Sequence, residues 1–99
     1  MSRKLYSLIQ DMSRCECYKC NRQDKLELHH ICYGVANRRL SDEYGCVVFL
    51  CTDHHRGLFG VHGKYGHELD MELKTKCQEA FERKFSHEKW MEVFGKSYL

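Results

Sequence analysis

The apolar positions follow two different rhythms along the chain. "LELHHICY" (26–33) has an alternating, β-branched character, and "CVVFL" (46–50) is a β-branched and aromatic run. Both predict short strands, the second of them buried. From residue 69 the spacing becomes four: Leu69, Leu73, Cys77, Phe81 and Phe85 form one stripe, with Ala80 on the same side. That stripe predicts a helix of about five turns. Ser86 either ends it or caps the next piece, where Trp90, Val93 and Phe94 make a second short apolar face that stops at Gly95. At the front, Leu5, Leu8, Ile9 and Met12 have helical spacing and predict a short amphipathic helix over residues 3–12. Residues 15–25 read as a turn or knuckle. Residues 34–45, bounded by glycines and holding "NRRLSDEYG", read as a polar loop. Residues 52–59 read as a short helix stopped by Gly60, and the glycine-rich residues 60–66 as a loop.

Length bounds this picture to one domain, 1–99, because 99 residues leave no room for a second core. Residues 15–62 form the knuckle and strand region, and residues 67–99 a helical lid for it to pack on. Chains below roughly 70–80 residues usually need a staple, and this one is only a little longer. A hydrophobic content of 42% supports a small core and argues against disorder. No apolar run approaches the roughly 18 residues of a membrane span. "MSRKLYSLIQDMSR" has no secretory apolar region, so a cytoplasmic protein is expected.

Seven cysteines are many for this length, and without a signal peptide they point to metal ligation rather than disulfides. The net charge of +2 says little alone, but residues 1–66 carry ten Lys and Arg against seven Asp and Glu, while residues 67–99 carry six against seven. The front two thirds therefore hold the positive excess together with nearly all the Cys and His. That suits partial neutralisation of phosphates, although charge alone favours a solvated mixed-charge surface.

Cys17 and Cys20 make a C-x2-C, and Cys51 and His54 a C-x2-H about thirty residues later. Each spacing lets one turn present two ligands to one ion, and two such turns complete a tetrahedral zinc site. The alternative is a set of ordinary thiols. Cys15 competes with Cys17, and the x2 spacing favours Cys17. Cys32, Cys46 and Cys77 lie in apolar contexts and read as small core residues. Helical neighbours point about 100° apart, so with His54 on the zinc, His55 is free for a second site. His29 and His30 would point to opposite faces of a regular strand, so both serve one site only at a strand end or bulge. A strand, a loop, a strand and a helix then bring three imidazoles near one another. Arg38, Arg39 and Arg56 border that region and could hold flanking nucleic-acid phosphates, or be solvated surface arginines. His67 and His87 read as surface residues.

The ordered set "C-x2-C", "HHI", "ANR", "YG", "LC-x2-HH" and "GVH", followed by a helix and an "FGK-x-YL" end, resembles the HNH endonuclease family, and most of all the small HNH-type proteins of phages and prophages. The likeness spans residues 15–99. It implies an α+β fold, a small ββα-metal core with a zinc knuckle packed against N-terminal and C-terminal helices. It implies hydrolysis of DNA phosphodiesters, with His30 as the general base that activates water. His29 and His55 fall at metal-ligand positions for a catalytic divalent ion (Mg, Mn, Zn or Ni), beside a structural zinc on Cys17, Cys20, Cys51 and His54. His62 either completes the catalytic metal site or contacts phosphate. The family's central asparagine position holds Cys46 here. Asn37 either takes over its role or is a turn asparagine. The resemblance further implies a phage or prophage protein in a bacterial host, with DNA as partner and a homodimer or a phage or host protein as a possible second one. A non-catalytic, zinc-stapled nucleic-acid-binding, adaptor or inhibitor module is the competing reading, since fold does not fix function.

Overall fold

The computed structural model describes residues 6–99. Strand β1 (Leu26–His30) pairs antiparallel with β2 (Val47–Cys51), in a register that sets Leu26 against Cys51 and His30 against Val47. Helix α1 (Val35–Tyr44) lies in the connection between them. Helix α2 (Thr52–Arg56) follows β2 directly. Helices α3 (His67–Lys84) and α4 (His87–Phe94) complete an α+β fold. None of these helices is long and apolar enough to cross a membrane.

Two five-residue strands make a sheet of marginal intrinsic stability, so the packing around them matters. Val48 and Leu50 are fully buried and join Ile31, Val61, Leu69, Leu73, Cys77 and Phe81 in one core. The four-residue stripe of α3 supplies its floor, as its spacing predicts. Phe85, the last member of that stripe, remains 43% exposed, lying beside Phe81 and Tyr44 at the helix end. Ser86 caps α4 through its hydroxyl, which accepts from the Lys89 amide at 3.0 Å. Trp90 is fully buried against Phe81 and Phe94, and its indole N–H donates to the Lys96 carbonyl. Buried Gln78 holds the C-terminal segment by accepting from the Tyr98 amide and donating to the Ser97 hydroxyl.

The structure corrects three sequence expectations. The helix expected over 3–12 is not formed in its described part. Residues 6–11 form no regular element, and a single 3-10 turn follows at Met12–Arg14; residues 3–5, and Leu5 with them, lie outside the described residues. Tertiary hydrogen bonds win over the periodicity. The Leu8 amide donates to the Gly45 carbonyl, and the Gln10 side chain accepts from the Phe49 amide while donating to the Glu16 carbonyl.

The polar loop expected over 34–45 is mostly the helix α1. Asn37, Leu40, Ser41 and Tyr44 recur at helical spacing on its inner side, and only Ser41 is fully buried. Ala, Arg, Leu and Glu in this segment are good helix formers, and Gly45 closes the helix in the left-handed conformation at φ 75°. The short helix expected over 52–59 ends at Arg56, where Gly57 donates back to the Asp53 and Thr52 carbonyls.

Residues 57–66 repeat glycine every third position, "GLFGVHGKYG". The Gly60, Gly63 and Gly66 amides donate to Gly57, Gly60 and Gly63 respectively. A Cβ on any of these four glycines would collide with backbone: Gly57 and Gly60 against Asp53, Gly63 against Gly57, and Gly66 against Gly60. The glycines are needed for space, because the turn folds onto itself and onto α2. The Val61 amide donates to the His54 carbonyl and the His62 amide to the His55 carbonyl, which ties the turn to both histidines of α2.

Candidate functional site

Two groups of donors stand on either side of the β2–α2 junction. Cys17, Cys20, Cys51 and His54 lie with all their ligand atoms within 4.8 Å of one another, and together could hold a metal ion. The Cys20 and Cys51 sulfurs are 3.8 Å apart, and His54 Nδ1 lies 3.2 Å from the Cys51 sulfur and 3.7 Å from that of Cys17. Tetrahedral edges around an ion with bonds of about 2.0–2.3 Å are roughly 3.4–3.8 Å, so the donors already stand close to ligand spacing. The knuckle forms because Cys17 donates its amide to the Arg22 carbonyl, while its own carbonyl accepts from the Asn21 amide. Burial pushes the Cys17 thiol up, but hydrogen bonds from the backbone at Cys51, Cys20 and Lys19 outweigh it and leave the pKa lowered, which favours the ligating thiolate. Cys15 is exposed and not in this group.

His29, His55 and His62 form the second group that could hold a metal ion. Their ring centroids are 4.9–5.3 Å apart, edge to face. His29 comes from β1, His55 from α2 and His62 from the glycine turn. His29 is almost fully buried, and its Nε2 has no hydrogen-bond partner among the described residues. Such an atom ordinarily costs free energy, so the triad fits a ligand there. Burial, followed by the proximity of His55 and His62, pulls the His29 pKa down to about 3, keeping the ring neutral as a metal ligand must be. His62 is lowered in the same way, first by burial and then by His55.

Glu27 completes the support of this triad and is not evident from the motifs. It sits two residues before His29 and so shares its face of the strand. Its carboxylate accepts from His55 Nδ1 at 2.7 Å and forms a two-point ion pair with Arg56. Such a carboxylate fixes which ring nitrogen is offered to an ion. Arg56, expected to border the site as a phosphate contact, is thus engaged by Glu27. The face-sharing i, i+2 spacing in "LELH" is the sequence signal that would have found Glu27.

His30 stands at the last position of β1 and shares a cavity of about 260 Å³ with His29, Tyr33, Arg38, His55 and His62. Its Nε2 lies 2.9 Å from Asp42 Oδ1 on α1. Asn37 has no side-chain hydrogen bond among the described residues, so it does not hold the His30 ring. Cys46 is buried with its thiol against Cys77, and this contact together with burial pushes it far up. Cys32 is buried as well, so all three cysteines expected in the core are there. His67 and His87 are exposed, as expected.

Tyr33 lies between the triad and α3. Its ring is 5.4 Å from that of His62, and its hydroxyl donates to Asp70 at 3.3 Å. Asp70 is buried and paired with Lys74 at 2.9 Å, and its Oδ1 has no partner among the described residues. A second, larger cavity of about 610 Å³ is lined by His30, Gly34, Arg38, Arg39 and Asp42. Arg38 and His30 line both cavities.

Comparison of the chain with family models, curated proteins and solved structures returns no match.

Proposed function

We propose that this protein is a metal-dependent endonuclease of the HNH type that hydrolyses phosphodiester bonds in DNA. The observation that carries the reading is the cavity shared by three imidazoles that could hold a metal ion and a fourth imidazole, His30, beside Arg38. The antiparallel pair β1 and β2, joined through α1 and followed directly by α2, with His29 on β1 and His55 on α2, supports a ββα-metal core. The cysteine-rich group suits structural zinc, whose soft ligands and near-tetrahedral spacing it provides. Three neutral imidazoles without a carboxylate favour zinc or nickel over magnesium or manganese at the second site.

In this reading a divalent ion on His29, His55 and His62 would stabilise charge on the phosphate and the leaving oxygen. His30 accepts a proton from water. The water oxygen bonds to phosphorus as the ester P–O bond breaks, and the leaving oxygen takes up a proton. Arg38 and Arg39 hold neighbouring phosphates through their guanidinium forks.

The test is incubation of supercoiled plasmid with the zinc-loaded protein and manganese, nickel or magnesium, beside His30→Ala. Nicking by the parent and its loss in the variant is the expected result. DNA binding without cleavage in every metal would overturn the nuclease reading and favour a non-catalytic zinc-stapled module.

A further inference from the structure

We infer that Asp42 is the positioning residue of His30 and selects which ring nitrogen carries its lone pair. The inference rests on the nuclease reading and deepens it at the same site. The carboxylate that orders the triad, Glu27, reaches His55 and makes no hydrogen bond to His30. What holds His30 is Asp42 Oδ1, 2.9 Å from Nε2. An ionised carboxylate only accepts, so in the neutral imidazole Nε2 carries the proton and Nδ1 the lone pair.

The placement of Asp42 is itself fixed. Its neighbour Ser41 is fully buried. The Ser41 hydroxyl donates to the Cys32 carbonyl at 2.7 Å and accepts from the Cys32 amide at 3.2 Å. Cys32 lies two residues beyond His30, so this clamp locks the register between α1 and the end of β1. Asp42 then reaches His30 from the side of the arginine-lined cavity, while the same ring borders the triad cavity. Helix α1 thus supplies the group that orients the His30 ring.

Two measurements test this on zinc-loaded protein. The first is ring-nitrogen NMR on histidine-labelled protein, with the His30 signals identified by their loss in His30→Gln. The parent is expected to show the Nε2–H form of His30, Asp42→Asn to keep it through its amide carbonyl, and Asp42→Ala to shift towards the Nδ1–H form. The second is plasmid nicking. Asp42→Ala is expected to lower kcat roughly 10- to 100-fold with KM within about twofold, and Asp42→Asn to recover most of that loss. Asp42 is 46% exposed, and matching melting temperatures would confirm that the variants fold. An unchanged tautomer in Asp42→Ala, or parental kcat in that variant, overturns the role of Asp42 while leaving the nuclease standing. A parent that cuts nothing overturns the nuclease reading instead, and with it any catalytic meaning of the dyad.

Discussion

Gly63 packs so closely on Gly57 that a Cβ on Gly63 would fall far inside van der Waals contact distance of the Gly57 carbonyl oxygen. The contact sits at the centre of the turn that delivers His62 to His29 and His55. Gly63→Ala must therefore open the turn. We expect a stability loss of about 1–3 kcal/mol in urea denaturation, with weakened nickel or zinc binding at the histidine triad and an intact cysteine site. Unchanged binding at the triad would show that His62 reaches its place without the glycine repeat.

Glu27 holds His55 at 2.7 Å and has its own pKa lowered, first by the hydrogen bond to His55 and then by Arg56. Glu27→Gln keeps the size and removes the charge. A 10- to 100-fold weaker metal affinity at the triad is expected, read by competition with a chelating dye. Affinity equal to the parent's would mean that the ring of His55 is oriented by α2 alone.

The cysteine-rich group joins the segment before β1 to the β2–α2 junction, so a metal held there would contribute to the folding free energy. Cys17→Ser and Cys51→Ser are expected to abolish cooperative thermal unfolding, as is a strong chelator on the parent. His30→Ala, which removes no ligand of this group, should melt within a few degrees of the parent. Equal losses in all three variants would contradict the division of labour between the two sites.

Burial of neutral His29 makes stability depend on pH. Its pKa falls from 6.5 to about 3 on folding, so between those values the unfolded chain binds the proton and the folded one does not. Stability therefore falls as pH drops from 6.5 towards about 3. Without metal at the triad, the parent should lose about 2 kcal/mol more than His29→Leu between pH values of roughly 7 and 5 in urea titrations. Parallel pH curves for the two proteins would show that His29 takes up a proton as readily in the folded chain as in the unfolded one.

The sequence by itself determined the elements whose signal is local. The stripe from Leu69 to Phe81 is legible because the period of a helix fixes which residues share a face, and "CVVFL" because β-branched residues in a short run suit a buried strand. The two C-x2 spacings were legible for the same reason: a single turn sets the reach between its ligands. His29, His55 and His62 were each visible as candidates. Only the tertiary structure brought their rings within 4.9–5.3 Å, since they come from a strand, a helix and a turn. The front segment carried helical spacing, yet its hydrogen bonds go to Gly45 and Phe49, long-range partners that no local pattern reveals. The same holds for α1, whose polar surface hid an inner face of Leu40, Ser41 and Tyr44. Glu27 and Asp42 were ordinary charged residues until strand register and the Ser41–Cys32 clamp set one beside His55 and the other beside His30. Partners chosen by packing are distant in sequence, and that distance is why the supports of the site came from the fold while its ligands came from the motifs.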